Sequence, residues 1–243
     1  MEQEKYWKIR SESFNKLDWV SEGSYLEAFV SSTDFNRADI VLDIGTGTGT
    51  IANAISPYVK QVIGLDISQD MFDQNEWHGN KNFIKGDIKI PLFVDGFFDK
   101  ITARMTFHHI IDGTEKAMAE CYRVLKTGGK MILAEGIPPT PEVKQEYIDI
   151  FRIKEERLTF LEEDLFRLMV DSGFKIRKNI THIIEKFSVK NWIENCGLAK
   201  EKQEQIYNLH INASEAFKTA YNMVHNNGDC YIDVKNLIMV GEK

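Results

Sequence analysis

Residues 41–50 read Val41-Leu42-Asp43-Ile44-Gly45-Thr46-Gly47-Thr48-Gly49-Thr50. Apolar Ile40, Val41 and Leu42 run into an acid and then into three glycines at alternate positions. A buried parallel strand ends this way, in a tight turn that opens a helix; Ile51, Ala52 and Ala54 begin the helical run. Glycine suits the turn because the chain bends sharply while a ligand approaches the main chain, where a Cβ would intrude. The N–H groups and positive dipole end of the following helix suit an anionic part of that ligand.

A dinucleotide loop places glycines at its first, third and sixth positions, with an acid about twenty residues on. Gly45 and Gly47 fit, but Thr50 takes the sixth position, Gly49 comes early, and Asp43 precedes the first glycine. Val62-Ile63-Gly64-Leu65-Asp66 reads as a second apolar strand ending in an acid, at the spacing where one carboxylate accepts both ribose hydroxyls. Phe83-Ile84-Lys85-Gly86-Asp87-Ile88 ends a third strand, and Phe98 to Met105 forms a fourth, followed by His108-His109-Ile110, where His108 and His109 start the next helix. Glu120-Cys121-Tyr122-Arg123-Val124-Leu125-Lys126-Thr127-Gly128-Gly129-Lys130 reads as a helix closed by glycines that leads into a strand, Met131 to Glu135. Alone, Asp66 would be a helix cap and Gly86-Asp87 a plain turn. Their common order and spacing lift both above that reading.

The D-x-G-x-G-x-G pattern from Asp43 to Gly49 resembles motif I of the class I S-adenosylmethionine-dependent methyltransferases. Glu120 to Lys130 is similar to that family's E-x-x-R-V-L-K-P-G-G, with Thr127 in place of proline. The resemblance implies S-adenosyl-L-methionine as cofactor and S-adenosyl-L-homocysteine as its product. The residues it implicates are Asp43, Gly45, Thr46, Gly47, Gly49, Asp66, Ile67, Met71, Gly86, Asp87, Ile88, Arg104 and Met105. In that family the second-strand acid takes the ribose, Gly-Asp and the next N–H take the adenine, and the first acid answers the α-amino group. Trp7-Lys8-Ile9-Arg10-Ser11-Glu12-Ser13-Phe14-Asn15 resembles the W-x-x-R-A-x-x-Y-D cap of small-molecule methyltransferases, keeping Trp7 and Arg10 but replacing Tyr-Asp by Phe14-Asn15. The chain as a whole is most similar to the ubiquinone/menaquinone-type enzymes.

The expected fold is α/β, a Rossmann-like, doubly wound, mostly parallel seven-stranded sheet with an antiparallel last strand. One domain over 1–243 is expected. It divides into an N-terminal helical cap over 1–35, a cofactor-binding core over 36–136, further sheet and helices over 137–186 and 231–243, and a helical insertion over 187–230. Thr159-Phe160-Leu161-Glu162 reads as a capping box opening a helix that ends at Ser172-Gly173. The insertion is far longer than a hairpin needs, and the resemblance implies that it covers an acceptor. Trp19 and Tyr25 of the cap and Trp192, Tyr207, His210 and Tyr221 of the insertion are the candidate acceptor contacts.

A net charge of −7 speaks against a general grip on nucleic acid or on anionic membranes. No apolar run approaches a bilayer span, the N-terminus does not read as a signal peptide, and a cytoplasmic setting is expected. Three scattered cysteines suggest neither disulfides nor a metal site. The expected reaction is methyl transfer to a small, aromatic or apolar-bodied acceptor, in which the protein positions, excludes water and takes up a proton. His108, His109 and Glu135 are the candidates for that proton; for Glu135 the bland reading is a salt bridge with Arg104. A homodimer stays open. Rival readings are a non-methylating enzyme on the same cofactor site, a nicotinamide-dependent oxidoreductase, and a non-catalytic interaction module.

Overall fold

A computed structural model describes residues 2–75 and 77–243; Met1 of the expected cap and Glu76 lie outside the described residues. The strands among them are β1 (Ile40–Ile44), β2 (Gln61–Asp66), β3 (Lys81–Lys85), β4 (Phe98–Arg104), β5 (Leu125–Gly136), β6 (Lys175–Ser188), β7 (Val224–Asn226) and β8 (Asp229–Glu242). The helices are α1 (Glu2–Phe14), α2 (Gly23–Ser31), α3 (Thr50–Ile55), α4 (Gln69–Phe72), α5 (Thr114–Val124), α6 (Lys144–Lys154), α7 (Glu162–Asp171), α8 (Val189–Asn195), α9 (Lys200–Ile211) and α10 (Glu215–Ala220).

The strands form one sheet in the order β3-β2-β1-β4-β5-β8-β6. β1 to β5 pair in parallel, while β8 runs antiparallel between β5 and β6. This is the expected seven-stranded Rossmann-like sheet. Short β7 extends it by pairing with β8 across a tight turn, inside the interval expected to be helical. Side chains alternate between two cores. Val41, Val62, Ile132 and Ala134 face the N-terminal helices and α8–α10, whereas Leu42, Ile63, Ile101 and Leu133 face α5 and α7. Strand order reverses between β1 and β4, so the carboxyl ends of both strands open onto one crevice, where such sheets bind ligands.

Three local expectations shift. The helix expected to open at Thr159 starts later: Leu161 precedes it, and Asp164 Oδ2 accepts from Leu161 N at 2.8 Å. Upstream, Leu158 N donates to His108 O at 2.9 Å, which holds that segment extended. His108 and His109 lie in an isolated 3₁₀ turn, Phe107–His109, and α5 begins only after Gly113. β5 begins at Leu125, so the glycines after α5 lie within the strand, beside a bulge opposite Phe98 and Lys100. Among the described residues no helix is long and apolar enough to cross a membrane.

Candidate active site

The glycine loop is pinned to the neighbouring strand: Gly45 N and Thr46 N both donate to Leu65 O, at 2.8 and 3.2 Å. Gly45 and Gly47 take left-handed backbone (φ 61° and 54°), and a Cβ on Gly45 would strike the Thr106 side chain. Asp43 pairs in register with Thr102 of β4, so the side chains meet. Thr102 Oγ1 and Thr46 Oγ1 each donate to the Asp43 carboxylate at 2.7 Å. Burial nonetheless raises its pKa to about 6. Among the described residues no salt bridge reaches this carboxylate and Arg104 acts on it only at longer range, so an ammonium group would supply a direct cationic partner.

Asp66 ends β2 and accepts from Gly47 N at 2.8 Å and from Ser68 N at 2.9 Å. It thereby ties the loop to the strand end. Asp87 accepts from Lys89 N at 2.9 Å. These groups line one cleft of about 480 Å³, within the usual range for small-molecule sites of roughly 300–1,000 Å³.

Arg104 closes one wall of the cleft. Its Nη2 donates to Val20 O at 2.9 Å, and its guanidinium lies 5.5 Å from the Trp19 ring and 5.6 Å from the Tyr25 ring. Nη1 is buried and meets no hydrogen-bond partner among the described residues. A buried guanidinium with a spare donor fits a carboxylate ligand.

A second cavity adjoins the first. Its walls come from α1, α6, α8–α10 and β8, and include Tyr147, Phe151, Phe187, Trp192, Phe217 and Tyr221. The cleft and this chamber share Trp7, Phe14, Trp19, Met105, His109, Lys154 and Glu155. Met105 adopts a left-handed backbone (φ 56°), uncommon for a side-chain-bearing residue, and Gly136 N lies 3.1 Å from its Sδ. The His109 ring sits edge-on to Trp7 at 4.8 Å and 4.0 Å from the His108 ring. Burial holds both histidines well below their ordinary pKa, so both are neutral near pH 7.

A methyltransferase domain family matches residues 42–133. An uncharacterized methyltransferase of Bacillus subtilis, YcgJ, is 29% identical over 218 residues, which span 86% of this chain and 85% of that protein. The demethylmenaquinone methyltransferase of Thermotoga maritima is 36% identical over 103 residues, 41% of this chain and 44% of that one. Among solved structures, one described as a putative methyltransferase from Bacillus halodurans superposes with a TM-score of 0.81 at 22% identity, covering 91% of this chain and 99% of that chain. Together these matches support a class I S-adenosylmethionine-dependent methyltransferase, with the family's domain over residues 42–133. Its cofactor is S-adenosylmethionine, and among named enzymes it is related to the ubiquinone/menaquinone type.

In the methyltransferase, every residue expected at the cofactor lines the cleft except Gly49. Gly49 sits at the start of α3 with φ 79°, and a Cβ there would strike Asn75, so packing accounts for that glycine. Asn15, which stands where the resembled cap has aspartate, accepts from Thr48 Oγ1 at 2.7 Å and stitches α1 to the loop. Glu135 contacts neither cavity and does not pair with Arg104; it lies behind His108.

Of the candidate acceptor contacts, Trp19, Trp192, His210 and Tyr221 line the chamber, while Tyr25 and Tyr207 do not. Tyr25 is buried between Arg104 and His182, whose ring stacks on it at 5.4 Å. On α9, Ile206 and His210 share the inward face, one turn apart. Tyr207 therefore points elsewhere, its hydroxyl donating to Gly228 O at 3.0 Å. Lys154, Glu155 and Arg157 were not singled out. Their run, Lys-Glu-Glu-Arg, reads as a solvated helix end, and only the covering helices bury it.

Proposed function

We propose that the enzyme methylates a small, apolar-bodied acceptor seated in the chamber under α8–α10. The observation that supports this reading most is the wall of aromatic residues, Met105 and His109 that the cofactor cleft and the chamber share. A donor on one side and an acceptor on the other would meet there and nowhere else along the cleft.

The cofactor, when bound, supplies a sulfonium-activated methyl group open to in-line displacement. The chain's own residues position it. Asp43 would answer its α-ammonium group, Arg104 Nη1 its carboxylate, Asp66 the ribose hydroxyls, and Asp87 with the following backbone the adenine. The chamber wall of Phe151, Phe187, Trp192 and Phe217 would keep water from the acceptor. His109, neutral and on the shared wall, is placed to accept a proton from the acceptor. His108 would orient it from behind, itself held by Glu135.

Calorimetry with S-adenosylhomocysteine, followed by incubation of the enzyme and labelled S-adenosylmethionine with a metabolite extract, tests this. We expect micromolar binding and one labelled low-molecular-mass product, with His109→Ala lowering turnover about a hundredfold at unchanged cofactor affinity. Cofactor consumption without a methylated product would overturn the reading in favour of a non-methylating reaction.

A further inference from the structure

We propose that the acceptor carries an anionic group, a carboxylate or a phosphate, and that Arg10, Lys154 and Arg157 hold it at the chamber wall. The inference rests on the chamber being the acceptor site.

Three cationic side chains converge on one carboxylate. Arg10 is 4% exposed and Lys154 7% exposed, and the Arg157 side chain is equally buried. Glu155 is the acid among them. Its Oε2 already takes Tyr6 Oη, Arg10 Nη1 at 2.8 Å and Lys154 Nζ. Its Oε1 lies 3.6 Å from Arg157 Nη1, too far for a hydrogen bond, and Arg10 Nε is buried without a partner among the described residues. The other titratable groups here do not balance the charge: His108 and His109 are neutral, while burial brings Lys154 down and Glu135 up to about 7, so these two are each part charged and offset one another, leaving Arg10 and Arg157 against Glu155 alone. Buried cations in excess over carboxylates are costly unless a ligand supplies the missing charge.

The alternatives are weaker on the same geometry. The cofactor's own carboxylate is not the missing anion, since Arg10 and Arg157 line the chamber and not the cleft, where Arg104 offers its spare donor. His108, His109 and Glu155 bring ligand atoms within 4.8 Å of one another, as a metal site would. A divalent cation there would face two guanidinium groups and the Lys154 amine around its only carboxylate. The planar guanidinium of Arg157 lies 4.3 Å over the Phe151 ring and its Nε donates to Leu158 O at 3.2 Å, which leaves its Nη edge for a carboxylate or phosphate.

The test uses three probes with one apolar body: 2-naphthoate, 2-naphthyl phosphate and 2-naphthalenemethanol. Each is titrated calorimetrically into the full chain with and without S-adenosylhomocysteine. At least one anionic probe should bind tenfold or more tightly than the alcohol, and the better of the two names the source of the charge. Arg157→Gln and, independently, Arg10→Gln should bring that preference within threefold while leaving S-adenosylhomocysteine affinity in place. Equal binding of alcohol and anions overturns the proposal without touching the methyltransferase reading, as does a preference that survives both substitutions. Tight Mn²⁺ binding that excludes the anionic probes also overturns it. Absence of S-adenosylhomocysteine binding would count against the cofactor assignment alone, because the probe comparison stands on the cofactor-free chain.

Discussion

Glu135 Oε2 lies 2.5 Å from His108 Nδ1, and Glu135 Oε1 accepts from the backbone N–H groups of Thr106 and Phe107 at 3.0 and 2.6 Å. One buried carboxylate thus fixes both the turn that carries the histidine pair and the ring orientation of the first of them. Removing it leaves buried donors unpaired, each worth roughly 1–3 kcal/mol.

Glu135→Ala should therefore destabilise the fold by about 3 kcal/mol or more. Glu135→Gln, which keeps an oxygen for the N–H groups, should stay within about 1 kcal/mol. Urea denaturation followed by circular dichroism measures both, and equal losses would refute the turn-fixing role.

Asp43 carries a pH signature. Its folded pKa, about 6, lies above the ordinary value of 3.8, so the folded chain holds the proton more tightly. The associated stability is present below pH 3.8 and is lost as pH rises through about 6. Asp43→Asn should match the natural chain near pH 4 and exceed it at pH 7 by about 1–3 kcal/mol, or several degrees in Tm. A cofactor ammonium needs the ionised acid, so S-adenosylhomocysteine affinity should fall about fivefold between pH 6 and pH 5. The Asn variant should bind weakly and without that slope; a flat profile in the natural chain would remove Asp43 from the ammonium site.

The spare Nη1 of Arg104 yields a ligand-resolved prediction. Arg104→Met should cost S-adenosylhomocysteine about 2 kcal/mol or more of binding. Methylthioadenosine, which has no carboxylate, should lose less than threefold. Equal losses for the two ligands would show that Arg104 shapes the cleft without reading the carboxylate.

Gly45 and Gly23 form a controlled pair. Gly45→Ala forces a Cβ onto left-handed backbone and into Thr106, and should destabilise by about 1–3 kcal/mol with loss of cofactor binding. Gly23 opens α2 with open space where its Cβ would stand. Gly23→Ala should be neutral or slightly stabilising in thermal melts.

The cleft was legible in the sequence because its parts are local. Glycines needed for a turn, and acids at strand ends, carry their reason within a few residues; Asp43, Asp66 and Asp87 accordingly line one cleft. The chamber was legible in outline only. Tyr207 follows Ile206 in sequence but stands about 100° round the helix from it, at the edge of the inward face, and α9 has too mixed a pattern to say which side faces inward. Lys154 and Arg157 were illegible for a different reason. Lys154 meets Trp192 of α8 and the Glu155 beside it meets Arg10 of α1, contacts from far along the chain, and no local pattern distinguishes these residues from surface charges.

The tie between α1 and Glu155 also governs the order in which the chain can assemble. Arg10 and Tyr6 meet their partner across 145 and 149 residues of sequence. At synthesis rates of about 5–20 residues per second, the first helix waits on the order of ten seconds for its anchor to be made. The segment carrying Trp7 and Phe14 is thus made well before its partner, and its aromatic face stays uncovered in the nascent chain while β1 to β5 can already pair. A polypeptide released before residue 155 would hold a nearly complete cofactor crevice with an unclosed end, which makes this stretch of translation the enzyme's most aggregation-exposed interval.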